Sequence, residues 1–226
     1  MTFAIIIANA AVWVFVQKLG THPGLLRSVI HFGLIPAELM GTVAPGTTVD
    51  LGGGVTYEIT HGLEWPTIFA SMFMHGGWLH IIGNLWFLGV FGDNIEDAMG
   101  PLRFLVFYLL CGAAAAGAQI FADPASVRPM VGASGAIGGV MGAYALLYPK
   151  VRVQILVFFG FFFTRFRVPA ILMLGYWLVL QVLTGMSGSE TGVAVWAHAG
   201  GFVAGLVLIK LFCKKERTEE RRQKFV

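Results

Sequence analysis

The segment Gly132–Gly142, reading GASGAIGGVMG, opens an apolar, uncharged stretch that ends at Tyr148, just before Pro149. Counted from Ser134 the stretch has about 15 residues, which is about 22 Å of helix. A bilayer hydrocarbon core of about 30 Å needs about 20 residues. A helix this short begins inside the thickness of a membrane, with a hydroxyl on its first turn. Lipid tolerates non-helical backbone at that depth only where protein buries it or a water-filled cavity receives it. Such a place can host chemistry.

Composition puts the stretch in a membrane. The 226 residues are 57% hydrophobic and 12% charged, with mean hydropathy +0.77, against about 25% charged residues in soluble domains. Charge is gathered in a few places and leaves several long uncharged segments, as in a polytopic helical membrane protein of one domain. The net charge of +3 comes mostly from Lys210 and Lys214–Lys224. A basic tail after a span marks the cytoplasmic side and gives no reason to expect nucleic acid. Cys111 and Cys213 lie in apolar or juxtamembrane context and read as free thiols. Thr2–Val16 has no basic region before it and reads as a first span rather than a signal peptide.

Six spans are predicted, at about Phe3–Leu19, Thr67–Val90, Phe104–Phe121, Ser134–Tyr148, Val168–Leu183 and Gly192–Phe212. They form a membrane domain over 1–212, followed by a basic cytoplasmic tail at 213–226. The long first loop, about 20–65, carries apolar clusters such as Leu25-Leu26 and Leu34-Ile35 that predict short interfacial helices. Phe91–Arg103, with Asp93, Glu96 and Asp97, reads as a connection, and Lys150–Arg167 as an interfacial loop too short to span. In this topology one side holds Arg103, Lys150, Arg152, Arg165, Arg167 and the tail, and the other only Lys18, Arg27 and Arg128. The positive-inside rule places both termini in the cytoplasm, so Ser134 opens outward.

Polar residues inside spans are rare and therefore candidates for function. His80 and Asn84 are four apart on one helical face, and His75 lies closer to the outer end. Ser134 starts the fourth span, and His198 sits in the outer half of the sixth. All five fall at similar depth. A serine hydroxyl needs a base to become a nucleophile, and an imidazole on another helix is the usual one. Gly201 and Gly205 make a small-residue face, and Gly135, Gly138, Gly139 and Gly142 offer a smooth partner for it. Close backbone approach would bring His198 to Ser134. His80, Asn84 and the backbone N–H of Ser134 would then face a developing oxyanion. No intramembrane carboxylate is on hand to orient His198, so the base would act in a dyad. Singly these features read blandly, as an N-cap serine, a packing histidine and packing glycines; their combination does not.

At these residues the chain resembles the rhomboids, intramembrane serine proteases with a six-helix core. The matching motifs are Gly132-Ala133-Ser134-Gly135 at the start of the fourth helix, His198 with Gly201 and Gly205 in the sixth, and His75, His80 and Asn84 in the second. The resemblance implies that Ser134 attacks the peptide carbonyl and that His198 is base and acid. It further implies an oxyanion site at His80 and Asn84, and a water-holding role for His75. It also implies a first loop embedded in the outer leaflet, Glu96 stabilising the inner turn, and a substrate gate at Trp177–Thr191. Two positions depart from the common pattern: Trp65-Pro66 stands where many members have Trp-Arg, and Gly138 where some have a tyrosine beneath the histidine. His198 would therefore take its orientation from helix packing.

The function this implies is endopeptidase cleavage in or near a transmembrane segment of a single-span membrane protein, within the lipid bilayer, needing no metal or organic cofactor. The simple layout suggests a prokaryotic inner membrane. One alternative is a catalytically inactive rhomboid-like protein that binds transmembrane segments; it would usually lack Ser134 or His198. The other is a small transporter, which would need further polar residues in the inner half.

Overall fold

The computed structural model describes all residues except 52–54, 60–63, 160–161, 188–193, 215–217 and 220–226, and the side chains of 157–162. The protein is mostly helical. α1 is Thr2–Ala11, continued by a wider π-type turn over Val12–Val16. The first loop carries α2 (Gly24–Phe32), α3 (Pro36–Met40) and a small antiparallel hairpin, β1 (Thr48–Asp50) with β2 (Thr56–Glu58). Then come α4 (Thr67–Ala70), α5 (Trp78–Met99), α6 (Pro101–Ala122) and α7 (Ser134–Leu147). A second antiparallel hairpin, β3 (Arg152–Phe159) with β4 (Phe162–Pro169), leads to α8 (Ala170–Met186) and α9 (Val195–Phe212).

The short α7 is the middle of the bundle. Every one of its residues except Ser134 and Leu146 is buried, as expected of a helix apolar all round. It packs on α5, α6, α8 and α9. Against α9 the two backbones touch. A Cβ added to Gly205 would overlap the Gly139 backbone, one on Gly201 the Gly135 carbonyl, and one on Gly142 the Phe202 carbonyl. The core continues through Leu88, Phe91, Phe104, Phe107, Tyr108 and Met141.

The outside of the bundle is also apolar. Phe3, Trp86, Val106, Phe121, Val179, Val207 and Leu211 are exposed on five different helices. Soluble monomers rarely expose apolar surface on this scale, and the surface is that of a membrane-associated protein. α6 and α9 are long and apolar enough to cross a bilayer; Thr2–Val16, α7 and α8 are shorter apolar helices.

Several expectations change. The segment predicted as one span over Thr67–Val90 is broken: α4 and a 3₁₀ turn (Ser71–Phe73) are followed by non-helical chain that bends at Gly76-Gly77 before α5 begins. His75 therefore precedes the helix and His80 lies in its first turn. α5 runs on to Met99, so Asp93, Glu96 and Asp97 belong to its last turns rather than to a connection. Glu96 reaches α1: its carboxylate accepts from the Thr2 backbone N–H at 2.7 Å and from the Met1 nitrogen at 2.5 Å. Lys150–Arg167 forms most of a hairpin, being rich in the β-branched and aromatic residues that suit strands, and its register runs from Arg152↔Pro169 to Phe159↔Phe162. The first loop has its expected short helices and, in addition, an unforeseen hairpin. The end of the expected gate, residues 188–191, and most of the basic tail lie outside the described residues.

Candidate active site

The approach to Ser134 is set by what holds the segment before α7. Leu34 and Met130 exchange two backbone hydrogen bonds, at 2.9 and 2.8 Å, and the Ala37 N–H donates to the Ser126 carbonyl at 3.0 Å. The Tyr57 hydroxyl donates to the Val127 carbonyl. The first loop is thus fastened to residues 126–130. From the other side the Gly132 N–H donates to the Ser71 carbonyl at 2.9 Å. Gly132 has φ +127, and a Cβ there would stand 2.7 Å from His80 Nε2 and 3.4 Å from Ser134 Oγ. Only glycine satisfies both the backbone angle and the space. The serine follows two residues on, at the first position of α7.

The glycine seam between α7 and α9 then fixes His198. A Cβ on Gly138 would lie 2.9 Å from the His198 carbonyl. At this separation His198 Nε2 and Ser134 Oγ are 2.7 Å apart. His198 Nδ1 lies 2.8 Å from Gln181 Oε1 on α8. An amide oxygen only accepts, so Nδ1 carries the proton and Nε2 is left to accept from the serine O–H. The Trp177 ring, one turn before Gln181, lies 5.7 Å from the imidazole with an interplanar angle of 34°. α8 thus sets an aromatic ring beside His198, although Gly138 on α7 offers none. To the expected orientation by helix packing, α8 adds these two side-chain contacts.

Across the site, the Gly76 N–H donates to His80 Nδ1 at 3.2 Å. The His80 proton therefore sits on Nε2, the nitrogen that faces Gly132. Asn84 is buried, and its amide donates to the His80 carbonyl one turn back at 2.9 Å. His75 is fully buried, its ring 5.3 Å from that of His80 and nearly perpendicular to it. Neither ring nitrogen of His75 has a hydrogen-bond partner among the described residues. Its backbone is clamped by Gln17, which donates to the His75 carbonyl at 2.8 Å and accepts from the His75 N–H at 2.9 Å. Gln17, a polar residue inside the expected first span, thus holds the bend before α5.

His80, Gly132, Ser134 and His198 line one cavity of about 1060 Å³, and Gln119, Asp123 and Arg128 also line it. Ser134, His198 and His80 are brought together, with Asn84 one turn behind His80. Gly132, Gly135, Gly138, Gly201 and Gly205 all lie at close contacts. Gln181 and Gln17 are the site residues that spacing did not single out. Each is an uncharged polar residue inside an apolar segment, which is the signal that could have found them.

The rhomboid domain profile matches residues 62–215. RHOMBOID-like protein 5 of Arabidopsis thaliana is 28% identical over 170 residues, covering 75% of this chain and 50% of that protein. The mitochondrial Rhomboid protein 1 of Saccharomyces cerevisiae is 28% identical over 171 residues, 70% of this chain and 44% of its own length. The Rhomboid protease GluP of Bacillus subtilis is 29% identical over 165 residues, 73% of this chain and 29% of its own. The chain spans about half the length of the first of these relatives and less of the others. With a matched profile over most of its length, including His75, His80, Asn84, Ser134 and His198, this chain belongs to the rhomboid family.

Proposed function

We propose that the protein is an intramembrane serine endopeptidase that hydrolyses peptide bonds in or near transmembrane segments of single-span membrane proteins. The observation that carries this reading is the 2.7 Å separation of His198 Nε2 from Ser134 Oγ, beside a cavity rather than in the core.

In this reading His198 takes the Ser134 proton as the hydroxyl oxygen attacks the carbonyl carbon. The oxyanion forms near the N-terminus of α7, where the Ser134 N–H has no acceptor within its own helix. His80, protonated on Nε2, is the second donor, and Asn84 is a third once its amide turns from the His80 carbonyl. His198 then gives the proton to the leaving amine. Water from the cavity hydrolyses the acyl-enzyme by the same route in reverse. His75, buried and with no side-chain partner for its ring nitrogens among the described residues, holds water next to His80 in this reading. The substrate segment must unwind locally, because a helical carbonyl is already hydrogen-bonded within its own helix.

The proposed frame is a six-span membrane domain over 1–212 in a prokaryotic inner membrane. Its six spans are the segments of α1, α4–α5, α6, α7, α8 and α9, both termini are cytoplasmic, and the cavity opens outward. The residues 213–226 form the basic cytoplasmic tail.

The test is cleavage of a fluorogenic model transmembrane substrate in liposomes by wild type, Ser134→Ala and His198→Ala. Loss of at least about a thousandfold in kcat in both variants, with the fold retained, is the expected result. A folded wild type that cleaves none of several substrates would instead favour a protein that binds transmembrane segments without cutting them.

A further inference from the structure

The imidazole of His198 is gripped at two points, and both come from α8. Gln181 Oε1 meets Nδ1 at 2.8 Å, and the Trp177 ring lies beside the imidazole, 5.7 Å between centroids. These residues are one turn apart and share a face. α8 itself is lightly attached: Ala170 and Leu174, both near its inner end, are its only buried residues. Toward the outer end its contacts with α9 fall on the site and its neighbours. Trp177 also meets Phe202, at 6.2 Å between ring centroids, and Gly185 packs so closely on Trp196 that a Cβ would stand 2.8 Å from the indole.

We infer that Gln181 is the positioning residue of His198, and that the seating of α8 against α9 thereby arms the base. This rests on the proteolytic reading of Ser134 and His198. The amide oxygen, by accepting from Nδ1–H, holds the imidazole in the tautomer whose Nε2 can take the serine proton. Trp177 restricts the ring's rotation. When the outer half of α8 moves away, both restraints leave with it, and His198 is free to turn from Ser134. A substrate that displaces α8 on entry meets a disarmed base, and hydrolysis waits until the helix returns. Chemistry is in this way confined to the closed state, with the cleaved segment enclosed.

Wild type, Gln181→Leu and Gln181→Glu are compared in liposomes for kcat, KM and the pH profile of cleavage, and for labelling of Ser134 by an alkyl fluorophosphonate, which needs no transmembrane substrate. Gln181→Leu is expected to lower kcat and the labelling rate about tenfold to a hundredfold with KM little changed, the scale of a misplaced catalytic group. Gln181→Glu keeps an acceptor at the same place and adds charge. It restores labelling and moves the limb of the profile assigned to the base to higher pH, because a carboxylate stabilises the imidazolium. A helix-packing role alone would leave that limb in place.

An active wild type with unchanged kcat in Gln181→Leu overturns the inference and spares the proteolytic reading. A folded wild type that neither cleaves nor labels overturns both. Should Gln181→Leu not fold, the pH limb of Gln181→Glu decides, and an unmoved limb overturns the inference. The link to α8 is tested with Gly185→Val, which presses on Trp196 and lifts the outer end of α8. Its loss of kcat is expected to shrink on the Gln181→Leu background, where only the Trp177 restraint is left to lose. No loss in wild type, or a loss that persists in full on that background, overturns the link.

Discussion

At the scale of single residues, the tautomers of two histidines organise the site. Gly76 N–H fixes the proton of His80 on Nε2, and Gln181 does the opposite for His198. One ring is thereby a donor toward the site and the other an acceptor, although both are histidines in the same cavity. If His80 stabilises the oxyanion, His80→Ala lowers kcat about 10²–10³-fold with KM less affected, as removal of one oxyanion donor does elsewhere; steady-state kinetics on the model substrate measure this. Gly132→Ala is a different kind of lesion. It forces a Cβ into His80 at a φ that alanine rarely adopts, so both activity and thermal stability are expected to fall, with a stability loss of about 1–3 kcal/mol. The serine, the histidines, Asn84 and the glycines were legible from residue type and spacing, since few other reasons put such residues in apolar segments. Gln181 was not, because its significance depends on an atom of another helix 2.8 Å away.

Among the elements, the α7–α9 seam and the first loop carry distinct loads. The seam sets the distance between Ser134 Oγ and His198 Nε2 through backbone contact at Gly135–Gly201 and Gly139–Gly205. Gly205→Val, which is remote from the reacting atoms, is expected to cost about 1–3 kcal/mol or more by overpacking and to reduce fluorophosphonate labelling in proportion to the opened seam; denaturation in mild detergent alongside labelling separates the two effects. The first loop acts on the segment before α7, partly through Tyr57. Burial, reinforced by the charge of Glu38, pushes the Tyr57 phenol from 10.0 up to about 12. Its folded-state value lies above its unfolded one, so the neutral phenol's contribution is complete below about pH 10 and is lost as the pH rises toward about 12. Limited proteolysis of the first loop is expected to accelerate across that window in wild type. In Tyr57→Phe, which loses the bond to Val127, the loop is less protected at neutral pH by about 1 kcal/mol and lacks this tyrosine's share of the alkaline response. The helices followed from apolar runs, but their edges moved wherever glycine or a tertiary contact intervened. Gly76-Gly77 split a predicted span, and the hairpin of β3 and β4 took residues whose composition fits a strand as well as an interfacial loop.

For the whole molecule, the apolar exterior and the asymmetry of basic residues define an expected orientation. With Cys111 and Cys213 replaced by alanine, Thr56→Cys in the first hairpin and Arg167→Cys in the second are expected to react with a membrane-impermeant maleimide from opposite sides of sealed vesicles. Reaction of both from one side would overturn the proposed topology. The sequence by itself determined that the chain is helical, apolar outside as well as inside, and built around a serine at the start of a short central helix, because composition and spacing act locally and need no knowledge of neighbours. Only the tertiary structure decided that His75 stands outside the helix, that Gln17 clamps it, that Glu96 reaches α1 and that α8 holds the His198 ring. Apart from the position of His75, which the local break at Gly76-Gly77 sets, each of those is a contact between residues distant in the chain, and spacing along a sequence does not say which distant residues meet.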